Sequence, residues 1–468
     1  MHDGIRFEAE RLFYEGNQHL NDKDYQRAEG CFLEAVDLLP GFCEALTNLG
    51  FVLDARGDLP AAESVYRKAW SAGADSLEFH LNFGSLLTTL KRFEDAQCLY
   101  AKALLCQPES SAIWSNLGVL MLGLKQDDDA QTCLDKAVEL DPGNSKALFN
   151  LAYVHLRHAR FDTGWKYLEA RDWYKPLAQH FACPRWLGES LANQSLIICY
   201  EAGHGDVIQF CRYIPLIKTQ GSLRILLVCH PALKTLMQTL DGLTTVIGFD
   251  ERLPDFAWDY WTPLFSMAYH LKTRADSIPS SIPYLKADGE LKQRWASLLP
   301  TGVVRVGLVW KGSPAFENDS ERSLASVRTL KALWNVGAVS FVSLQKGCGE
   351  DEVVTFSQEQ PMIDLGSRMQ DFADAAAIVS NLDLVICVDT AIAHLTGALG
   401  KPCWVMLPHF MTDWRWLNQG AESAWYPGTM RLFRQAQRGD WSQVVDEMAE
   451  ALTVTAIHAS RTANREFL

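Results

Sequence analysis

The chain lacks any apolar run near the ~20 residues that a membrane-crossing helix needs, so no span is expected. It also lacks a basic start followed by an apolar stretch. MHDGIRFEAERLF places acids there instead, and no leader is read from it. Paired cysteines are missing. The 12 cysteines stand singly, with no Cys-x-x-Cys, which argues against a disulfide frame or a zinc site. Reduced thiols in a cytoplasmic protein are the expectation. Positive charge is short: 43 Lys and Arg face 57 Asp and Glu, a net charge of −14 that argues against general nucleic-acid binding. The deficit is local, because residues 9–142 hold 11 Lys and Arg against 22 Asp and Glu.

What is present is ordinary for a globular chain: 48% apolar and 21% charged residues over 468 positions. That length predicts two or three domains.

The first third repeats itself. Gly16, Gly50, Gly84 and Gly118 are each 34 residues apart. Ala28, Ala62, Ala96 and Ala130 keep the same step, as do Ala35, Ala69, Ala103 and Ala137. Phe32, Tyr66, Tyr100 and Leu134 form a fourth register, and Pro40, Pro108 and Pro142 close three of the units. Small residues let paired helices approach, large ones fill the gap, and proline ends the second helix. This 34-residue pattern resembles the tetratricopeptide repeat. A fifth unit from Ser145 drifts, with Gly164 and Arg171 at alanine positions, and reads as a capping or docking repeat. Asn48, Asn82, Asn116 and Asn150 also recur every 34 residues. On a concave repeat surface their amides would suit the backbone of a bound protein acceptor. Asn is, however, common at this position of the repeat family whatever its partner. The Asp127 to Asp129 run reads as a solvated stretch between repeat helices.

From Ser195 onward apolar runs alternate with helical spacing, which predicts parallel sheets with covered faces. Strands are expected at residues 195–200, 224–229, 244–247, 303–310, 339–344, 384–388 and 403–407. The seam at residues 171–188 is aromatic and aperiodic. Repeats over 1–176, a first α/β lobe over 177–300 and a second over 301–468 are therefore expected.

Two turns at strand ends carry the polar chemistry. Gly203-His204-Gly205-Asp206 leads into a helix after the first strand. Asp389-Thr390-Ala391 does the same after residues 384–388, with His394 four residues from Thr390 on one helical face. A strand end followed by a helix N-terminus favours phosphate. Asp206, Asp389 or Thr390 read equally as helix caps, and His394 as a packed core histidine.

The run from about Ser195 to Leu452 resembles the heptosyltransferase-like (family 9-like) glycosyltransferases. Gly205-Asp206-Val-Ile-x-Phe-x-x-Tyr-Ile-Pro215 is similar to that group's Gly-Asp motif. Val388-Asp389-Thr390-Ala391-Ile392-Ala393-His394 is similar to its Asp-Thr-Gly-x-x-His motif, with Ala391 in place of glycine. Repeats fused to such a module also resemble bacterial protein glycosyltransferases, including those that modify flagellin, and more distantly the O-GlcNAc transferases. The resemblance implies an all-α repeat superhelix followed by an α/β GT-B fold of two Rossmann-like lobes. It implies a nucleotide sugar as co-substrate, no separate cofactor, and a protein acceptor. Asp206 would be the general base, with Gly203 and His204 on the acceptor side. Donor contacts would come from Trp310, Lys311, Ser313, Arg322, Gln345, Phe372, Asp389, Thr390, Ala391 and His394. Trp310 and Phe372 suit stacking on the base, or a place in the core or at the rim. No Asp-x-Asp stands at a strand end of either lobe, so no metal is expected there. Two other readings stay open: a repeat scaffold whose transferase half has decayed, and a glycan or lipid-glycan transferase.

Overall fold

A computed structural model describes residues 2–359 and 361–465. The chain divides into two compact units, Met1–Val154 and His155–Leu468.

The first unit is a run of paired antiparallel helices. They are α1 (His2–Asn21), α2 (Tyr25–Leu38), α3 (Cys43–Ala55), α4 (Leu59–Ser71), α5 (Leu77–Thr89), α6 (Phe93–Cys106), α7 (Ser111–Gly123) and α8 (Asp127–Leu140). The repeated glycines and large side chains prove to be two halves of one contact. A Cβ placed on Gly16, Gly50, Gly84 or Gly118 would fall 2.6, 2.8, 2.5 and 2.5 Å from Phe32, Tyr66, Tyr100 and Leu134 respectively. Only a residue without a side chain lets the second helix of each pair seat its large residue against the first. The two alanine registers are buried throughout. Each intra-pair turn needs a left-handed residue, which Gly57 (φ 83°) supplies without strain and Lys23, Lys91 and Lys125 (each φ 60°) accept. Asp24, Asp58 and Ser76 cap their helices through side-chain oxygens. The Asp127 to Asp129 run does not lie between helices as expected. It forms the first turn of α8, where the helix dipole favours acids.

The second unit begins within α9 (Ser145–Arg157) and continues with α10 (Phe161–Leu168). α10 is tied to both lobes. Its Trp165 donates its indole N–H to the Thr273 carbonyl at 2.9 Å and meets Trp414 edge-on at 5.4 Å. Arg171, the residue that broke the alanine register, is fully buried. It donates to both oxygens of Glu201, at 2.6 and 2.9 Å, and to Ser266 Oγ at 3.0 Å. A long cation at an alanine position is thus how the degenerate repeat docks onto the first lobe.

Two parallel sheets form the lobes. The first has the order β3-β2-β1-β4, with β1 Ser195–Cys199, β2 Arg224–Cys229, β3 Thr245–Gly248 and β4 Tyr260–Pro263. The second has the order β10-β9-β8-β5-β6-β7. Its strands are β5 Val304–Val309, β6 Val339–Ser343, β7 Ile363–Asp364, β8 Leu384–Val388, β9 Cys403–Leu407 and β10 Met430–Arg434. The central strands β1 and β8 are buried at every residue, as uninterrupted apolar runs require when both faces are covered. The helix expected from Val207 to Ile217 is broken. α11 (His204–Phe210) gives way to a tighter turn at Cys211–Tyr213 before Ile214–Thr219. The second lobe carries α12 (Phe372–Ser380), capped by Asp371, and α13 (Ala391–Ala398).

Candidate functional site

The two motifs, 186 positions apart at Gly205 and Ala391, come together. α11 leaves the C-terminal end of β1 and α13 leaves that of β8, so each helix start lies at its sheet's carboxyl edge, where open α/β sheets bind ligands. A Cβ on Gly205 would sit 2.9 Å from His394 Cδ2 and 3.3 Å from Ala391 Cα. The two helix starts therefore abut across the seam between the lobes.

Asp206 stands at this seam. Its Oδ2 accepts from the Gly203 backbone N–H at 2.7 Å, so it does close the turn as a cap. Its Oδ1 accepts from the Arg415 guanidinium, which comes from the other lobe. Arg415 also donates through Nη1 to both Asp413 oxygens at 3.0 Å and through Nε to Gln209 Oε1 at 2.5 Å. Its guanidinium lies 4.4 Å from the Trp414 ring centre. Burial pushes the Asp206 carboxyl up; Arg415 opposes this, and Asp413 adds to it.

Asp389 is pushed up to about 6, by burial first and then by Asp413, against the pull of Arg322, Trp416 and Arg415. Thr390 opens α13 but makes no capping bond, and its buried Oγ1 has no partner among the described residues. His394 is buried, stacks on Trp416 at 5.3 Å and places Nδ1 3.1 Å from Tyr426 Oη. Burial, with Arg415 and Arg212 nearby, holds it well below its usual range. It is neutral, so it offers a hydrogen bond and packing, not charge.

The other expected donor residues divide. Arg322 donates to Asp319 Oδ1 at 3.0 Å, and its charge acts on Asp389. Lys311 is ion-paired with Glu352. Ser313 lies exposed on the same loop. Phe372 stacks on His204 at 5.2 Å, so these two residues link the lobes, and the His204 Nε2 is buried with no partner among the described residues. Burial and the adjacent His230 lower the His204 imidazole. Two expected contacts need correction. Trp310 is fully buried in the core of the second lobe and has no face to offer a base. Gln345 uses its whole amide inside the lobe. Its oxygen accepts from the N–H groups of Trp310 and Lys311, and its nitrogen donates to the carbonyls of Lys311 and Cys348. It shapes the loop after β5 and has no hydrogen bond left for a ligand.

The repeat amides are half-buried. Asn48 donates to Asn17 at 2.7 Å, Asn116 accepts from Lys146 at 2.9 Å, and Asn150 donates to the Lys146 carbonyl at 2.8 Å.

Sequence reasoning missed Arg415 and Asp413. Their signal was Asp413-Trp414-Arg415-Trp416, an acid and a cation interleaved with two tryptophans in the loop that follows β9.

Fold and site thus describe helical repeats joined to two parallel α/β lobes whose helix starts converge. Comparison with known proteins narrows this class. Residues 111–144 and 133–166 match tetratricopeptide repeat models, and residues 331–405 match glycosyltransferase family 9 (heptosyltransferase). The last match holds Phe372, Asp389, Thr390 and His394 but not Asp206. Protein FlbA of Caulobacter vibrioides is 28% identical over 334 residues, covering 65% of this chain and 54% of its own length. The chain thus spans about half of that relative. Among solved structures, Pseudomonas aeruginosa PilF is 21% identical with a TM-score of 0.32, over 36% of this chain and 76% of that one. YrrB, described as a repeat protein with an unusual peptide-binding site, is 18% identical with a TM-score of 0.29, over 34% and 82%. The chain is thus similar to tetratricopeptide repeats over residues 111–166 and to glycosyltransferase family 9 (heptosyltransferase) over residues 331–405.

Proposed function

We propose that this chain is a GT-B glycosyltransferase that moves a sugar from a nucleotide sugar to a hydroxyl of a protein acceptor recruited by its repeats. Flagellin Ser or Thr is one acceptor of this class, and the cytoplasm is the proposed compartment. The observation that carries the reading is the convergence of Gly205-Asp206 with Ala391 to His394 from two separate sheets.

Asp206 is the proposed general base. It takes the acceptor proton as that oxygen attacks the sugar carbon, while the bond from this carbon to the donor phosphate breaks and its electron pair leaves on the phosphate. Burial raises the Asp206 carboxyl and with it the basicity of the carboxylate, and the Arg415 charge opposes that rise. Arg415 must release one carboxylate oxygen for this, and the departing phosphate is a matching new partner for it. The start of α13, with the unpartnered Thr390 hydroxyl, is the proposed phosphate site. No step calls for a metal, and turnover is expected to survive a chelator.

The test separates the two motifs. Asp206→Asn should bind the nucleotide sugar as the parent does and lose turnover, by about 100-fold or more. Asp389→Ala should weaken donor binding in calorimetry. An equal loss of donor affinity in both variants would remove this division of roles. The Asp206–Arg415 ion pair also suits a second reading, a scaffold whose cleft is locked shut. A panel of nucleotide sugars that leaves the melting point unmoved would favour that one.

A further inference from the structure

The first repeat departs from the other three at one internal contact. Glu15 and His19 of α1 stand where the next repeats carry Leu49 and Leu53, Phe83 and Leu87, and Leu117 and Met121. Cys31 of α2 stands where they carry Val65, Leu99 and Cys133. An apolar pair on the first helix is thus replaced by a carboxylate and an imidazole, facing a thiol at a position that the fourth repeat also gives to cysteine. One ligand atom from each of these side chains lies within 4.8 Å of the other two, and all three residues are half-buried.

We propose that Glu15, His19 and Cys31 form a zinc site. The donor set is the one zinc takes, and softer than magnesium or calcium would use. Glu15 and His19 are four residues apart on one helix, so both project to the same side, and Cys31 closes the set from the facing helix. Zinc bonds of ~2.0–2.3 Å require these side chains to draw together by roughly 1 Å, within the reach of rotamer changes. Arg11 already donates to Glu15 Oε2 at 2.7 Å, leaving Oε1 for the ion and supplying the outer partner that orients a metal-bound carboxylate. A polar outer face alone would explain hydrophilic residues on a first repeat. It does not explain the convergence of three donor types on one point. Glu15 and His19, though not Cys31, line a groove of about 560 Å³ that brings water to their side of the cluster.

The test uses the reduced full chain, stripped of metal and titrated with zinc against a chromogenic chelator. Cobalt(II) then serves as a spectroscopic probe. His19→Leu and Cys31→Val install residues that the second repeat already holds at these positions, so both variants should melt as the parent does. The parent is expected to bind one zinc ion, with affinity falling at least about 10-fold in either variant. The thiolate-to-cobalt charge-transfer band should vanish in Cys31→Val. Equal zinc binding by parent and variants would place the ion elsewhere, for instance on the exposed thiols of Cys98, Cys106 or Cys348, and overturn the site. So would a parent that takes up no zinc.

Discussion

Asp389 carries a charge that its surroundings resist. Its carboxyl is raised to about 6, above the ordinary value of 3.8, because burial and Asp413 outweigh Arg322, Trp416 and Arg415. A carboxyl raised in the folded state stabilises the protein while protonated. That contribution is complete below about pH 4 and is lost as pH rises through about 6. At most about 3 kcal/mol is involved. Asp389→Asn removes the titration and keeps the shape. Its melting temperature should therefore match the parent near pH 4 and exceed it at pH 7, in a pH series of thermal melts. A gap that does not widen with pH would show that the carboxyl is not strained. Residue types at this position were legible in the sequence, since a strand end, an acid and a helix start form a local pattern. The roles of Trp310 and Gln345 were not. A tryptophan and an amide after a strand look the same whether they face a ligand or the lobe's interior, and only the packing of Leu324, Val353 and Met448 around the Trp310 cluster distinguishes the two.

At the scale of elements, the lobes meet through helix starts, and Gly205 sets how closely. Gly205→Ala would put a methyl 2.9 Å from His394 Cδ2 and 3.3 Å from Ala391 Cα. His394 is pinned by Trp416 and Tyr426, and Ala391 contributes backbone, so neither can yield cheaply. The variant should lose about 1–3 kcal/mol in denaturant unfolding. It should also bind nucleotide sugar more weakly, because the start of α13 moves. Unchanged stability would mean that α11 slides freely, and the convergence of motifs would then have no fixed geometry. Strands with apolar runs were legible, β1, β2, β5, β6, β8 and β9 among them. β4 and β10 were not, because Tyr260-Trp-Thr-Pro263 contains a proline and Met430-Arg-Leu-Phe-Arg434 is framed by cations. Both are edge strands, where such residues are tolerated and periodicity fades. The break in the helix after Phe210 was hidden for another reason. Arg212 there is buried, donates to the Trp425 carbonyl at 2.7 Å and packs on the Tyr426 ring at 4.6 Å. Those partners lie over 200 positions away, beyond any local pattern.

At the scale of the molecule, the repeats and the transferase-like lobes need a reason to share a chain. Under the proposed function the repeats hold a protein acceptor while the lobes act on one hydroxyl. Asn48, Asn82, Asn116 and Asn150 mark one position of that array, and the structure gives them a competing duty. Asn48 is bonded to Asn17, Asn116 to Lys146, and Asn150 to its own helix. Each amide still has hydrogen-bonding capacity left, since an Asn side chain offers two donor hydrogens and two acceptor positions. Each bond to a bound chain is worth about 0.5–1.5 kcal/mol net, and sites one repeat apart should add approximately. Changing all four to Ala should therefore raise the KM for the protein acceptor by at least about 30-fold, as about 2 kcal/mol over four sites implies. Hydrolysis of the nucleotide sugar by water should hold constant, since no residue of either lobe changes. The internal bonds set the control. If they matter more than the acceptor does, the fourfold variant will melt early, and replacing Asn82 alone, for which no internal bond is seen among the described residues, then becomes the decisive variant. A folded variant with unchanged KM would show that the acceptor does not bind through this column. The repeats would then serve assembly, and acceptor choice would pass to the lobe residues around His204.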